Sequence, residues 1–202
     1  MQQVTLGRTG ITVNKNGFGA LPIQRVSTEY AGMLLKKAYA NGIRYFDTAR
    51  SYTDSEEKIG LALSDVRKEI IIATKTPSTT VEGFWNDLET SLRLLKTDYI
   101  DVYQFHNPSF CPKPGDGTGL YEAMLEAKKQ GKIRFIGITN HRLHVAEEAV
   151  HSGLYDTLQF PFCYLATEKD LALVNLCKEQ NVGFISMKAL SGGLITNSAA
   201  AY

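Results

Sequence analysis

Four side chains able to support acid–base chemistry occur at or beside the ends of predicted strands. Asp47, Lys75 and His106 each follow a separate short apolar segment, and Tyr52 lies in the loop after Asp47. The carboxyl ends of neighbouring parallel strands meet at one edge of a sheet, where barrel enzymes place their catalytic groups. We therefore expect these four side chains to lie close together.

Together these groups could deliver a proton to a carbonyl oxygen. A free tyrosine has a pKa of about 10 and is a poor acid at neutral pH. A neighbouring ammonium lowers that pKa, and a carboxylate can hold the ammonium in place. We expect Lys75 to lower the pKa of Tyr52 and Asp47 to anchor Lys75. His106 would orient the carbonyl and stabilise its developing negative charge, so the predicted reaction is reduction of an aldehyde or ketone with Tyr52 as proton donor.

The elements that must position these residues alternate between strand and helix after a predicted hairpin over residues 4–13. Strands are predicted over 17–21, 43–46, 69–74, 99–105, 132–139, 158–162 and 182–187. Helices are predicted over 28–41, from 55 onward, and over 84–95, 121–130, 143–150 and 168–180. Apolar strands that alternate with helices indicate a parallel sheet covered by helices. Because no G-x-G-x-x-G motif opens the first helix, a barrel is favoured over a doubly wound sheet.

The number of strands predicts a barrel that is not closed by this chain. About seven strands are predicted, and a complete (β/α)8 barrel typically needs about 250 residues. The expected fold is an α/β TIM barrel, incomplete at the C-terminal end, in a single domain over 1–202 that lacks its last βα unit. A naturally shortened protein, or one completed by a partner, is the alternative.

Composition argues against several other classes of function. The formal net charge of +1 gives no basic surface for nucleic acid, and no apolar run approaches the length of a membrane span. The three cysteines form no C-x-x-C pair, which predicts free thiols in a cytoplasmic protein and no metal site; they are Cys111, Cys163 and Cys177. His141, His144 and His151 are interpreted as one solvated helix face rather than as metal ligands.

The chain resembles the aldo-keto reductase family in three segments that occur in the family's order. They are FDTARSYTDSEEKIG at 46–60, IIATK at 71–75 and DYIDVYQFHNP at 98–108. The resemblance implies that Asp47, Tyr52, Lys75 and His106 are the family's catalytic tetrad. It also implies that NADP or NAD binds extended across the mouth of the barrel and that the partner is a small-molecule carbonyl substrate.

The same resemblance implies a set of cofactor contacts. GITN at 137–140 is similar to the family's G-V-S-N, so Thr139 and Asn140 are expected to hold the nicotinamide carboxamide together with Gln159. Met187 takes the position at which many members stack an aromatic residue on the nicotinamide. The remaining implied contacts are Gly19, Leu21, Asp47, Lys188, Leu190 and Gly192.

Two segments, QFPFCYL and MKALSGGLI, are most similar to a bacterial and archaeal branch of the family. Some members of that branch carry an iron–sulfur cluster beyond the barrel, but the cysteines here lack cluster spacing, so no cluster is predicted. One alternative function is a redox sensor or scaffold that binds the cofactor with little turnover. Another is an aldolase-type barrel in which Lys75 forms a Schiff base.

Overall fold

The computed structural model describes residues 2–189. Its strands are β1 (Gln3–Thr5), β2 (Thr12–Asn14), β3 (Phe18–Gly19), β4 (Tyr45–Asp47), β5 (Ile71–Thr76), β6 (Ile100–His106), β7 (Ile133–Thr139), β8 (Thr157–Pro161) and β9 (Gly183–Met187). Its α-helices are α1 (Thr28–Ala40), α2 (Ser55–Leu63), α3 (Val81–Leu95), α4 (Leu120–Lys129), α5 (Leu143–Ser152) and α6 (Glu168–Glu179). Short 3-10 helices span Gly7–Thr9, Pro22–Arg25 and Ser64–Glu69.

Strands β3 to β9 form one parallel sheet in chain order, and β1 pairs antiparallel with β2. This confirms the predicted hairpin and the predicted α/β barrel, of which the described residues supply seven strands. Within residues 2–189, β3 and β9 are the two outer strands of the sheet. That residues 1–202 form a single domain without its last βα unit stays a prediction.

Side-chain caps fix where several helices begin. Ser27 accepts a hydrogen bond from the backbone N–H of Tyr30 at the start of α1. Thr80 caps α3, and Thr167 forms a capping box with Asp170 at the start of α6. Each cap satisfies an N–H group that the first helical turn leaves without a partner. The caps therefore fix the first turn of these three helices.

The sheet separates two apolar cores. Outward-facing strand residues such as Phe46, Ile72 and Tyr103 pack against the helices in the larger core. The smaller core lies inside the barrel, where Leu6, Ile11 and Val13 of the hairpin region contact Tyr45, Ala73 and Val102. The hairpin thus closes the N-terminal end of the barrel with apolar side chains. The inward-pointing polar side chains lie at the opposite end of the barrel, near the carboxyl ends of the strands.

The ends of several strands differ from the sequence-based prediction, among them β4, β5 and β6, which ends at His106. Asp47 is the last residue of β4 rather than the residue after it, and β5 continues past Lys75 to Thr76. Glu69 belongs to the 3-10 helix Ser64–Glu69 and not to β5. The backbone N–H of Thr48 donates to Ala73 and that of Arg50 to Lys75, so the pairing of the two strands continues into the loop.

Candidate active site

The alternation of side chains along the strands brings polar groups into the barrel above the apolar inner core. Ala73 on β5 and Val102 on β6 belong to that core. Lys75 and Gln104, two residues further along each strand, point to the same side and are paired with each other in the sheet register. Asp47 is the last residue of β4 and lies opposite Ala73 in the sheet, two positions before Lys75. Two residues further along each strand, the inward-facing side chains therefore change from apolar to polar.

Lys75 and Asp47 form a buried ion pair. The Lys75 ammonium donates to both carboxylate oxygens of Asp47 at 2.8 Å and to the carbonyl oxygen of Thr48 at 2.6 Å. Lys75 is 1% exposed and Asp47 is 9% exposed. Burial lowers the pKa of Lys75, and the charge of Asp47 acts in the opposite direction. Since an ammonium has three hydrogens, these three acceptors occupy all of its donors.

Tyr52 lies in the loop between β4 and α2, which its own backbone helps to fold. Its N–H donates to the Ala49 carbonyl, and its carbonyl accepts from the N–H of Ser55, the first residue of α2. The phenol ring stands edge-to-face on the His106 ring with their centres 5.8 Å apart. The Lys75 nitrogen is 5.3 Å from the centre of the same ring. The structure therefore brings together the four side chains that the sequence selects.

The expectation that Lys75 lowers the pKa of Tyr52 is wrong for this structure. Burial of the phenol, followed by the negative charge of Asp47, raises the pKa of Tyr52 to about 12. The physical reason is that Asp47 neutralises the Lys75 ammonium and takes its donors, so no hydrogen bond from Lys75 reaches the phenol oxygen. Tyr52 is thus fully protonated at neutral pH.

His106 is held as a neutral imidazole. Burial, then the positive charges of Lys75 and His141, lower the pKa of His106 from 6.5 to about 4. A neutral imidazole has one N–H donor and one acceptor nitrogen. It can therefore give a hydrogen bond to an oxygen in the cleft without adding a positive charge.

A cleft of about 410 Å³ opens beside these residues, between the edges of β3 and β9. Its walls are mostly apolar side chains from the hairpin, the loop after β3, and β9. Seven of the predicted site residues line it: Gly19, Leu21, Asp47, Tyr52, Gln159, Met187 and Lys188. Its lining runs between the two outer strands of the described residues, from Val4 and Val13 of the hairpin to Asp47 at the end of β4 and Tyr52 in the loop that follows.

Two predicted cofactor contacts lie behind the wall of the cleft. Thr139 is 2% exposed and Asn140 is fully buried. The Asn140 amide donates to the Pro108 carbonyl and its oxygen accepts from the N–H of Arg142, both at 2.8 Å. These contacts join the loops after β6 and β7. The predicted contacts Leu190 and Gly192 lie outside the described residues.

Comparison with known proteins identifies the family. Residues 15–201 match the aldo/keto reductase family. The chain belongs to that family. It is 31% identical over 212 residues to L-galactose dehydrogenase of Arabidopsis thaliana, covering 95% of this chain and 66% of that protein. It is 38% identical over 124 residues to the methylglyoxal reductase DkgB of Salmonella typhi, covering 57% of this chain and 45% of that protein.

A solved family member has the same fold. The aldo-keto reductase AKR11C1 from Bacillus halodurans, in its holo form, superposes with a TM-score of 0.84 at 26% identity. The match covers 96% of this chain and 68% of that chain. This chain therefore spans about two thirds, or less, of the length of the relatives described here.

Glu56 is a buried charged residue of this aldo/keto reductase that the sequence does not reveal. A carboxylate in the first turn of a helix is usually exposed and stabilises that end of the helix, but the Glu56 side chain is buried and 1% exposed. It accepts hydrogen bonds from Thr74 at 2.6 Å and Ser91 at 2.7 Å, and it forms an ion pair with Arg50. No spacing in the sequence distinguishes it from its exposed neighbour.

Gln104 is a second residue that the sequence analysis missed. Its side chain is fully buried inside the barrel, between Asp47 and Gln159. A signal was present, because counting back two residues from His106 places a glutamine on the inward face of β6, next to Val102 on that face. A polar residue at such a position needs buried partners, and the structure supplies them.

The remaining candidate groups do not add a second site. His144 and His151 lie on α5, and His141 precedes that helix. Within residues 2–189 there is no group of three or more histidine, cysteine or acidic side chains arranged to hold a metal ion. In the same part of the chain no helix is long and apolar enough to cross a membrane.

Proposed function

We propose that this chain carries the active site of a nicotinamide-dependent carbonyl reductase in which Tyr52 donates the proton. The observation that supports this most directly is the contact of one phenol ring with both His106 and Lys75 at the mouth of the cleft. The phenol is protonated at neutral pH, so it has a proton to give. Bound NADPH or NADH would supply the hydride to the carbonyl carbon.

The other three residues would each assist that proton transfer. His106, as a neutral donor, would orient the carbonyl oxygen and stabilise the negative charge that develops on it. Lys75 would place a positive charge near the phenolate that Tyr52 becomes, since its nitrogen is 5.3 Å from the ring centre. Asp47 would keep Lys75 at that position through its two hydrogen bonds.

The described residues fit a nicotinamide ring. Gly19 leaves its side of the cleft open, because a Cβ at that position would meet no atom within 4 Å. Met187 and Leu21 offer apolar surface, and a thioether packs well on a ring face. Gln159 faces the cleft and retains one N–H and one lone pair beyond its bonds inside the protein, which suits a carboxamide. Lys188 could contact the negatively charged part of the cofactor.

The two alternatives from the sequence have less support. A sensor or scaffold would keep the cleft but would not need Tyr52 and His106 in contact. A Schiff-base lysine must lose its proton, whereas Lys75 donates three hydrogen bonds and is paired with a carboxylate. The names of the relatives, which refer to L-galactose and methylglyoxal, support a small carbonyl compound or sugar as the substrate class.

Substitution of Tyr52 by phenylalanine tests this proposal. The variant keeps the ring contact with His106 but loses the proton, so we expect NADPH and NADH to bind as before while turnover of methylglyoxal falls by at least a hundredfold. Tyr164→Phe is the matched control, since Tyr164 is 66% exposed and does not line the cleft. Turnover by Tyr52→Phe at the rate of the Tyr164→Phe control would show that Tyr52 is not the proton donor.

A further inference from the structure

Three side chains form a closed ring of hydrogen bonds across the interior of the barrel. The Gln104 amide nitrogen donates to Asp47 at 3.5 Å and to the side-chain oxygen of Gln159 at 3.2 Å. The Gln159 amide nitrogen donates to the other oxygen of Asp47 at 3.2 Å. These residues come from β4, β6 and β8, so the ring spans the barrel just below the cleft.

We propose that Gln104 is a positioning residue that holds the Asp47 carboxylate and the Gln159 amide in the orientations the active site needs. The inference rests on the proposed function, in which Asp47 anchors Lys75 and Gln159 faces the cofactor. Gln104 itself does not line the cleft, so it would act only through these two neighbours.

The charge of Asp47 fixes the orientation of both amides. An ionised carboxylate only accepts hydrogen bonds, so each glutamine must turn its nitrogen toward Asp47. The Gln159 oxygen then faces Gln104, whose nitrogen has a second hydrogen to give. The Gln104 oxygen is left pointing away, buried and without a hydrogen-bond partner. A leucine or methionine at position 104 would avoid the cost of burying an oxygen without a partner. The structure nevertheless has an amide here, at the expense of that one unsatisfied oxygen.

The ring also restrains Lys75. Both Asp47 oxygens accept from Lys75 on one side and from a glutamine on the other. If Gln104 were removed, the carboxylate could rotate and Gln159 could turn its oxygen into the cleft. Both movements would change the groups that a ligand meets without unfolding the barrel.

An NMR experiment tests the ring without requiring activity. In protein labelled with ¹⁵N-glutamine, the side-chain amide signals of Gln104 and Gln159 are assigned by their loss in the Gln104→Met and Gln159→Met variants. We expect each substitution to shift the amide signal of the other glutamine and to leave that of the exposed Gln130 in place. If both signals stay where they are in the wild type, the ring does not exist in solution and the inference is overturned. If one variant fails to fold, the other tests the same bond from its opposite end.

Kinetics then separate positioning from packing. Gln104→Met keeps the volume but removes both donors, so we expect kcat/KM to fall about tenfold, the size expected when one buried hydrogen-bond partner is lost. Gln104→Glu adds a carboxylate beside Asp47, and two carboxylates that share a site resist ionising together. Its activity should approach that of the wild type at low pH and fall as the pH rises, because the new charge adjoins Asp47, its hydrogen-bond partner, and Lys75, its partner in the sheet register. His106 lies two residues further along the same face of β6.

The matched control is Thr157→Val, which alters the barrel interior at a hydroxyl that has no hydrogen-bond partner. It should leave kcat, KM and the pH profile unchanged. A residue that only packs would leave kcat/KM of the volume-matched variant Gln104→Met at the wild-type value, and that result would overturn the inference. If the wild type reduces no carbonyl but the NMR coupling is present, the proposed function fails while the ring stands.

Discussion

The buried carboxylate of Glu56 should be one of the largest single contributions to the stability of the barrel. Glu56→Ala would leave Arg50 without its ion partner, and breaking a buried pair from one side costs about 3–5 kcal/mol. The Arg50 side chain is 19% exposed and can reach water, which favours the lower end of that range. Thr74 and Ser91 are fully buried and would each lose a hydrogen bond, at about 1 kcal/mol apiece. We expect a loss of about 5 kcal/mol, which equals the lower end of the roughly 5–15 kcal/mol typical of a domain.

Urea denaturation measures this loss through the fluorescence of Trp85, the only tryptophan. Glu57→Ala is the matched control, because it removes an exposed glutamate from the next position of the same helix and should change the free energy of unfolding by less than about 0.5 kcal/mol. Glu56→Gln keeps an acceptor for the two hydroxyls and should cost about half as much as Glu56→Ala. A free energy of unfolding for Glu56→Ala within about 1 kcal/mol of the control would refute the reasoning, since the network would then contribute no more than a surface charge.

Two further predictions follow from burial elsewhere in the barrel. The pKa of His106 is lowered from 6.5 to about 4 in the folded chain, so its contribution to stability is present above pH 6.5 and is lost as the pH falls toward 4, by at most roughly 3 kcal/mol. Urea denaturation at several pH values should show that the free energy of unfolding falls less steeply with decreasing pH in His106→Gln than in the wild type. Equal slopes of the free energy of unfolding against pH would contradict the burial of that imidazole. A Cβ on Gly60 would lie 2.1 Å from the carbonyl oxygen of Leu94, a backbone atom that cannot turn aside. Gly60→Ala should therefore lower the free energy of unfolding by about 1–3 kcal/mol, whereas unchanged stability would mean that α2 can move away from α3 at little cost.

The parallel barrel could be predicted because the relevant signals are local. Strands such as β5 are apolar on both faces, which requires cover on both sides, and each is followed by a helix with its own start and stop residues. The convergence of Asp47, Lys75 and His106 follows from the same topology, because parallel strands end at one rim. Neither inference depends on knowing which side chains touch.

The electrostatics of the site could not be predicted because they depend on distances. The sequence suggests that a lysine near Tyr52 lowers its pKa, but in the structure Asp47 and burial have the larger effect, and the pKa rises. The sequence implies that Asn140 holds the nicotinamide carboxamide, which stays a prediction, but it does not reveal that the same amide bonds the backbone of two loops. In both cases the residue type is compatible with two roles, and only the identity of the neighbouring atoms decides between them.

The position of Tyr52 relative to Lys75 is controlled from both faces of β5. Lys75 points into the barrel and binds Asp47, whereas the preceding residue, Thr74, points outward and donates to Glu56. Arg50 lies two residues before Tyr52. Its backbone N–H donates to the Lys75 carbonyl, and its side chain pairs with Glu56. The loop that carries the phenol is thus tied to one strand end by two buried carboxylates, one on each side of the sheet. Apolar packing alone allows small sliding movements, but hydrogen bonds to buried charges tolerate little displacement. The charged groups therefore provide the accuracy that the proposed proton transfer requires, and the apolar core beneath them provides the support.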